Sequence, residues 1–258
     1  MSADDTISCA TCHDPEKGFA DGRVIAVGIK ERKGTRNSPT VLNAAFFDTQ
    51  FWDGRVITLE EQAKQPIINP NEMGMPSHDA LVEKISNISE YKTAFQAVFG
   101  TEKITIDHIA RAIASFERTL ISFNAPFDRF IAGEKDAISA SAQRGWKLFQ
   151  GKARCVTCHE FNRSYPFFTN NKFHNVGVAM KGKDFEFLAR KAASSGADPS
   201  ALVQEEASAE LGRYLVTKEP KDIGAFKTSG LRNIALTAPF MHDGSESTLE
   251  SVVEFYNK

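Results

Sequence analysis

The sequence lacks the features that would assign it to several common classes of protein. Only four of its 258 residues are cysteine, its formal net charge is −2, and its basic residues are dispersed. Nothing therefore indicates a nucleic-acid-binding surface. No apolar run is long enough to span a bilayer, and few stretches alternate as strands do. We expect a mainly α-helical protein with long irregular loops and little strand.

All four cysteines lie in two copies of one motif, Cys-x-x-Cys-His. One copy runs from Cys9 to His13 and the other from Cys155 to His159. This spacing is typical of c-type haem attachment, in which two thiols bond to the haem vinyl groups and the adjacent histidine ligates iron. No cysteine is left over, so covalent haem at both motifs is the leading interpretation. The expected haem-binding residues are Cys9, Cys12, His13, Cys155, Cys158 and His159.

Three other uses of these cysteines remain open. A zinc ribbon needs two Cys-x-x-Cys pairs roughly 15–20 residues apart, whereas these pairs lie in opposite halves of the chain. A thioredoxin-like site would use one pair beside a βαβ pattern, which we do not find. Two structural disulfides would form in an oxidising compartment, but they leave the paired histidines unexplained.

Helix signals are spread along the whole chain. A short helix is predicted over 59–65, followed by a loop over 67–76 in which prolines interrupt helical structure. Ser77 is a candidate cap for one helix over 79–99, and Thr105 caps a stripe of apolar residues. Ser139 or Ser141 starts a helix that leads into the second motif. The pattern over 247–250 is a capping box for a last helix.

Each Cys-x-x-Cys-His motif opens its own half of the chain. We predict two cytochrome c-like haem lobes, over 1–123 and 139–258, joined by a connection over 124–138. The polar stretch 181–221 is expected to be a helix with flexible flanks.

Because c-type haem is attached outside the bacterial cytoplasm, we expect a periplasmic protein whose signal peptide has been removed from the sequence before Cys9.

Further motifs follow the first haem motif in a fixed order along the chain. With the two haem motifs, they make the chain resemble the bacterial di-haem cytochrome c peroxidase and MauG family over nearly its whole length. The motifs are Arg36-Asn37-Ser38-Pro39-Thr40, Gln50-Phe51-Trp52-Asp53-Gly54-Arg55, Glu61-Gln62-Ala63, Asn69-Pro70-Asn71-Glu72-Met73-Gly74, Leu231-Arg232-Asn233-Ile234-Ala235-Leu236-Thr237-Ala238-Pro239 and Met241-His242-Asp243-Gly244.

The resemblance implies a division of labour between the haems. Peroxide reacts at the haem of His13, and the haem of His159 takes in and holds electrons. Trp52 is the candidate relay between them, although a large core aromatic is the usual role of tryptophan. Glu72 matches the catalytic acid/base, which moves a proton during O–O cleavage; a surface glutamate is the commoner case. Gln62 matches a residue lining the same pocket, and otherwise is a helix-surface amide.

The resemblance also implies one calcium ion between the lobes. Asn37, Thr237 and Pro239 match the residues around that ion, and carbonyl oxygens are suitable calcium ligands. No acidic cluster in the sequence indicates calcium independently.

Two departures place the chain nearer the MauG-like branch. Where closed peroxidases have a distal histidine, this chain has Lys30. A neutral lysine can ligate iron, but Lys30 belongs to a charged loop, so we expect an open first haem. Where the peroxidases have a methionine ligand at the second haem, this chain has Tyr256; a phenolate lowers the potential relative to methionine. A packed tyrosine is the alternative. Met241 and His242 are not preferred as ligands, and His174 is a candidate neighbour of the second haem.

The expected function is reduction of hydrogen peroxide with electrons relayed from the second haem. The oxidising equivalents would be taken up by a small electron-donor protein, such as a c-type cytochrome or a cupredoxin, or by a protein substrate in a MauG-like reaction. The alternative is a di-haem electron-transfer cytochrome without peroxidase turnover. The family also suggests a homodimer.

Overall fold

The computed structural model describes residues 1–180 and 182–257. Within these residues the fold is mainly helical, as predicted. The strands β1 (Phe173–His174) and β2 (Phe226–Lys227) form one antiparallel pair, with Phe173 opposite Lys227. None of the described helices has both the length and the apolar character needed to cross a bilayer. The helices are α1 (Cys9–Cys12), α2 (Leu59–Ile68), α3 (His78–Ser86), α4 (Ser89–Phe99), α5 (Ile106–Glu117), α6 (Pro126–Ala132), α7 (Ala140–Gln150), α8 (Phe185–Ser194), α9 (Pro199–Leu202), α10 (Glu206–Ala209), α11 (Tyr214–Thr217) and α12 (Leu249–Tyr256).

Short polar side chains begin most of the longer helices. The Thr105 hydroxyl accepts a hydrogen bond from the His108 N–H, and Ser77 and Ser139 cap α3 and α7, so these three predicted caps are confirmed. These oxygens satisfy N–H groups that have no partner within the helix. The last helix starts one residue later than predicted, because Thr248 rather than Ser247 is its cap and pairs with Ser251.

Two predicted helix boundaries are wrong. The single helix predicted over 79–99 is two helices, because the chain turns at Asn87 and Ile88 takes an extended conformation. Asparagine favours such turns, since its side chain competes for backbone hydrogen bonds. Helix α2 continues through Pro66, where a break was predicted. The Pro66 carbonyl, one of the last in this helix, accepts the Met73 N–H instead of an intrahelical partner.

The stretch predicted as a polar helix over 181–221 is instead the centre of a hydrophobic core. It folds into the four short helices α8 to α11, and Leu211 and Leu215 are fully buried. Small residues such as Ala189 and Ala209 are also buried there, which allows these short helices to approach closely. Lys181, the first residue of the stretch 181–221, lies outside the described residues. Lys258, at the end of the predicted second lobe, also lies outside them.

The predicted connection over 124–138 contains helix α6. Its Phe127 packs edge-on against Trp146 and Phe161, with ring centroids 4.9 and 5.3 Å apart. Asp128 forms a paired hydrogen bond with Arg232, at 2.9 and 2.7 Å. The connection therefore packs onto the second half of the chain.

Two segments of the chain share one backbone course. We call residues 36–66 repeat A and residues 226–256 repeat B; each residue of repeat B is numbered 190 higher than its counterpart. Each repeat has a left-handed asparagine, a 3₁₀ turn, a β-bridge, a left-handed glycine and a threonine-capped helix. The matched features are Asn43 and Asn233, Ala44–Phe46 and Ile234–Leu236, Gln50↔Val56 and Phe240↔Glu246, Gly54 and Gly244, and α2 and α12.

The repeats contact each other in a reciprocal way. The Asn37 N–H donates to the His242 carbonyl, and the Lys227 N–H donates to the Trp52 carbonyl, both at 2.8 Å. Lys227 is the counterpart of Asn37 and His242 that of Trp52, so the two bonds are related by an approximate two-fold axis. The arrangement brings Trp52 against the core of α8 to α11.

The glycines of the two repeats fix how closely the halves approach. Gly54 and Gly244 each have a φ of +66°, which favours glycine. A Cβ at Gly54 would overlap the Phe173 ring, and one at Gly244 would overlap the backbone of Val24. Both positions therefore require glycine for its backbone conformation and for its lack of a side chain.

Candidate functional site

The histidines of the two motifs have the same hydrogen-bond arrangement. His13 Nδ1 lies 3.1 Å from the Phe19 carbonyl, and His159 Nδ1 lies 2.9 Å from the Phe168 carbonyl. Donation through Nδ1 leaves Nε2 free to ligate a metal and fixes the ring orientation. Burial lowers the pKa of both rings, which favours the neutral form that binds iron.

A cavity of about 450 Å³ lies beside the second motif. This size is typical of cofactor sites. The predicted haem residues Cys155, Cys158, His159 and Tyr256 all line it. The cavity and the orientation of the His159 ring therefore fit a covalently attached haem, with Tyr256 as the candidate second ligand.

The charge of Glu72 acts on a cysteine of the first motif. The pKa of the Cys12 thiol is raised to about 11, mainly by burial and further by the charges of Asp21 and Glu72. Glu72 is held on the turn after α2, where Asn69 Nδ2 donates to its carboxylate. Burial raises the Glu72 pKa, against the opposing effects of Arg55 and Asn69. A positioned carboxyl group of this kind is one of the side chains that serve as general acids and bases.

Trp52 lines the cavity of the second motif from the side of repeat A. Its indole N–H donates to the Asn37 carbonyl at 2.9 Å, which fixes the ring. Asn37, Thr237 and Pro239 line the same cavity, so the three residues expected around calcium border one space. Among the described residues no three His, Cys, Asp or Glu side chains converge as a metal site, and calcium stays a prediction.

The remaining candidates differ in their surroundings. Lys30 is exposed, with a left-handed φ of 53°. Gln62 is half-buried on α2. His174 Nε2 lies 3.2 Å from Asn170 Nδ2, and His174 lines the cavity of the second motif. His242 is buried and lies 3.2 Å from a Glu210 oxygen, and Met241 also lines the cavity.

Comparison with known proteins identifies the family. The profile described as di-haem cytochrome c peroxidase matches residues 1–136. The chain belongs to this family. Membership implies two c-type haems, in agreement with the two motifs.

Relatives of this di-haem peroxidase family member include both branches of the family. The methylamine utilization protein MauG of Methylorubrum extorquens is 40% identical, over 100% of this chain and 65% of the relative. The cytochrome c peroxidase Ccp of Escherichia coli is 38% identical, over 98% of this chain and 49% of the relative. The chain thus spans about two thirds of the length of the first relative and half that of the second.

Solved structures share the fold. A MauG-like protein associated with microbial copper homeostasis superimposes with a TM-score of 0.77 and 32% identity, over 98% of this chain and 71% of the other. The di-haem peroxidase BthA of Burkholderia thailandensis has a TM-score of 0.75 at 24% identity, over 99% of this chain and 67% of the other, and shows the fold alone.

Sequence reasoning missed Pro66. It is the counterpart of Tyr256 in the repeat, and both lie eight residues into their helices, α2 and α12. Val252 and Tyr256 line the cavity of the second motif, so Gln62 and Pro66 occupy the equivalent positions in the first half. The 190-residue spacing of the two Asp-Gly pairs, Asp53-Gly54 and Asp243-Gly244, is the signal that identifies this relation.

Sequence reasoning also missed the charged groups around Trp52. Asp53 is fully buried and accepts hydrogen bonds from Arg36 at 2.8 Å and from Arg55 at 3.0 Å. Burial opposes the charge of Asp53, but the two guanidinium groups hold its pKa below the usual value. Lys227 donates to the Thr49 carbonyl at 2.8 Å, and burial lowers its pKa to about 8.

Proposed function

We propose that this protein reduces hydrogen peroxide at the haem site of His13 and receives the electrons through the site of His159. Two electrons and two protons convert one peroxide molecule into two water molecules. When bound, the haem at His13 supplies the open coordination position and the redox chemistry for O–O cleavage. The side chains of this chain supply proton movement, ligand orientation and the connection between the sites.

The difference between the two repeats at one helical position carries this proposal. Tyr256 lines the cavity of the second motif and carries a phenol oxygen, whereas Pro66, its counterpart, has no side-chain donor atom. Pro66 therefore leaves the first site without a ligand from this position. Lys30 is exposed on a turn, in keeping with an uncapped first site.

Glu72 is the group that would move the proton. Its pKa is raised mainly by burial, which favours the protonated form compared with an exposed glutamate. The carboxylate takes a proton from the oxygen that binds first and returns it to the oxygen that leaves as water. Gln62, on the adjacent helix, is the candidate donor of a hydrogen bond to bound peroxide.

Trp52 is the proposed relay between the sites. Its ring is fixed by Asn37 and contacts the core of the second half. The carbonyl of Trp52 also accepts the Lys227 N–H, which holds the relay to strand β2. Small movements of the ring are thereby restricted.

A MauG-like oxidation of a protein substrate is the second candidate, and Tyr256 favours it. An anionic phenolate at the His159 site stabilises iron in its oxidised states more than a thioether does.

We further propose a calcium ion near Asn37, Thr237 and Pro239 and a periplasmic location, both from family membership. The external electron donor would be a c-type cytochrome or a cupredoxin.

Absorption and low-temperature EPR spectra of the ferric holoprotein, followed by stoichiometric peroxide, test the proposal. We expect one high-spin and one low-spin haem and a rapid spectral change on adding peroxide. Two low-spin haems without a response to peroxide would contradict it and favour an electron-transfer cytochrome. Repeating the measurement with Lys30→Ala then shows whether Lys30 caps the first site.

A further inference from the structure

Arg55 contacts three residues in the first half of the chain, Phe51, Asp53 and Gln65. Its guanidinium group donates from Nη1 to both Asp53 carboxylate oxygens at 3.0 Å and from Nε to the Gln65 side-chain oxygen at 2.7 Å. The same group lies over the Phe51 ring, with Cζ 3.4 Å from the ring centroid. One side chain therefore joins the loop that carries Trp52 to helix α2.

Helix α2 in turn holds the turn that carries Glu72. The Met73 N–H donates to the Pro66 carbonyl at 3.2 Å, and the Met75 N–H donates to the Ile67 carbonyl at 2.9 Å. Gln65 immediately precedes Pro66, so Asp53 is connected to this turn through the hydrogen bonds of Arg55 and the backbone of α2. Charge-assisted bonds of this kind are shorter and stronger than neutral ones.

This arrangement is confined to one repeat. The counterparts of Arg36, Asp53 and Arg55 in repeat B are Phe226, Asp243 and Ser245. Asp243 accepts the backbone N–H of Ser245 at 3.0 Å and takes part in no ion pair among the described residues. Because both repeats have the same backbone course, the fold of the segment does not require the two arginines.

We propose that Arg55 is a positioning residue of the His13 site, which holds the Trp52 loop and the Glu72 turn in fixed relation. The inference rests on the proposed function, since it assigns Arg55 to the same peroxide site. The guanidinium group also provides a positive charge near the Glu72 carboxylate. Asn69 contacts that carboxylate as a neutral donor, and Arg32 contacts the same turn through the Pro70 carbonyl. The charge of Glu72 also acts on the Cys12 thiol, which becomes a thioether without charge when haem is attached.

The test is the pH dependence of the reaction between ferric holoprotein and peroxide, followed by stopped-flow absorption. Arg55→Gln removes a positive charge that lowers the Glu72 pKa. Burial then raises that pKa with less opposition, so a higher pH is needed to form the carboxylate. We expect the rising acid limb of the rate profile to move up by about one pH unit, which lowers the rate on that limb about tenfold. Arg55→Lys should restore the limb, because it retains the charge.

Arg213→Gln is the matched control. Arg213 donates to the carbonyls of Asp53 and Gly54 at 3.0 and 2.7 Å, so it contacts the same loop. Its guanidinium group lies over Phe173 in the second half, at 4.3 Å from the ring centroid. Loss of this arginine should leave the midpoint of the acid limb unchanged.

Each outcome separates the inference from the proposed function. If the wild-type protein does not react with peroxide, the proposed function is wrong. If it reacts and Glu72→Gln reacts far more slowly, but Arg55→Gln slows the rate equally at every pH or leaves it unchanged, only the inference is overturned. Should Arg55→Gln fail to give holoprotein, Gln65→Ala removes one acceptor of Arg55 and keeps its charge. The rate of that variant should fall while the acid limb stays in place, and a wild-type rate would overturn the inference.

Discussion

Repeat A and repeat B share a backbone course and differ in the chemistry of their side chains. Repeat A places a tryptophan, a buried aspartate with two arginines, and a proline where repeat B places His242, Asp243 and Tyr256. The shared features lie at turns, caps and left-handed residues, which determine the backbone. Of the differing positions, Trp52, His242 and Tyr256 line the cavity of the second motif. One scaffold thus carries two sites with different expected roles, which is the general relation between fold and function.

The largest expected effect is that of Glu72→Gln. The amide keeps the size of the side chain but cannot take up the peroxide proton, so the rate of the ferric holoprotein with peroxide should fall about 10²–10⁴-fold. Stopped-flow absorption measures this rate. Glu83→Gln, an exposed glutamate on α3, is the control and should leave it unchanged. A full rate in Glu72→Gln would remove the acid/base assignment and leave the two halves without a division of labour.

Asp53 and Asp243 should contribute very differently to stability. Asp53→Asn leaves two buried guanidinium groups without a full counter-charge, which should cost about 3–5 kcal/mol. The counterpart Asp243→Asn retains a hydrogen-bond acceptor and should cost about 0.5 kcal/mol or less. Urea titration of the two holoproteins measures both values, and equal losses would contradict a special role for the arginines.

Asp53 also makes the stability of the protein depend on pH. Its pKa in the folded protein is lowered, so its contribution to stability is present above the unfolded-state value of about 3.9 and is lost as the pH falls below it. The stability difference between wild type and Asp53→Asn should therefore shrink on acidification below about pH 4.

Replacement of Tyr256 tests the second site. If Tyr256 ligates iron, Tyr256→Met should raise the reduction potential of one haem by on the order of 100 mV, within the ~0.8 V range that axial ligands cover. Spectroelectrochemical titration measures both potentials, and the haem of His13 serves as the internal reference. Unchanged potentials would mean that Tyr256 is a packed tyrosine.

Pro66→His would make the repeats more alike. A histidine at the counterpart of Tyr256 introduces a nitrogen ligand at the first site, and α2 accepts a residue with a free N–H better than proline. We expect part of the high-spin EPR signal to convert to low-spin and the peroxide rate to fall about tenfold. Pro66→Ala is the control, since it removes the ring without adding a ligand. A high-spin signal that persists at full intensity would show that this position does not face the iron.

The sequence determined the haem attachments, the helical class and the family. The Cys-x-x-Cys-His spacing requires local geometry only, and the caps at Thr105 and Ser139 depend on residues three positions away. Local rules did not predict the continuation of α2 through Pro66, because the Pro66 carbonyl finds its partner, the Met73 N–H, on the following turn. The core of α8 to α11 was not predicted, because α9, α10 and α11 have only four residues each. Such short helices are too short to show the helical period of apolar residues.

Only the tertiary structure decided which residues share a site. The contact of Asn37 with His242, and of Trp52 with Lys227, joins residues about two hundred positions apart in sequence. The buried charges of Arg36, Asp53 and Arg55 are likewise paired only because folding removes them from water and brings them together. Local spacing determines an attachment motif, whereas burial and long-range contacts determine the surroundings that give each haem site its own chemistry.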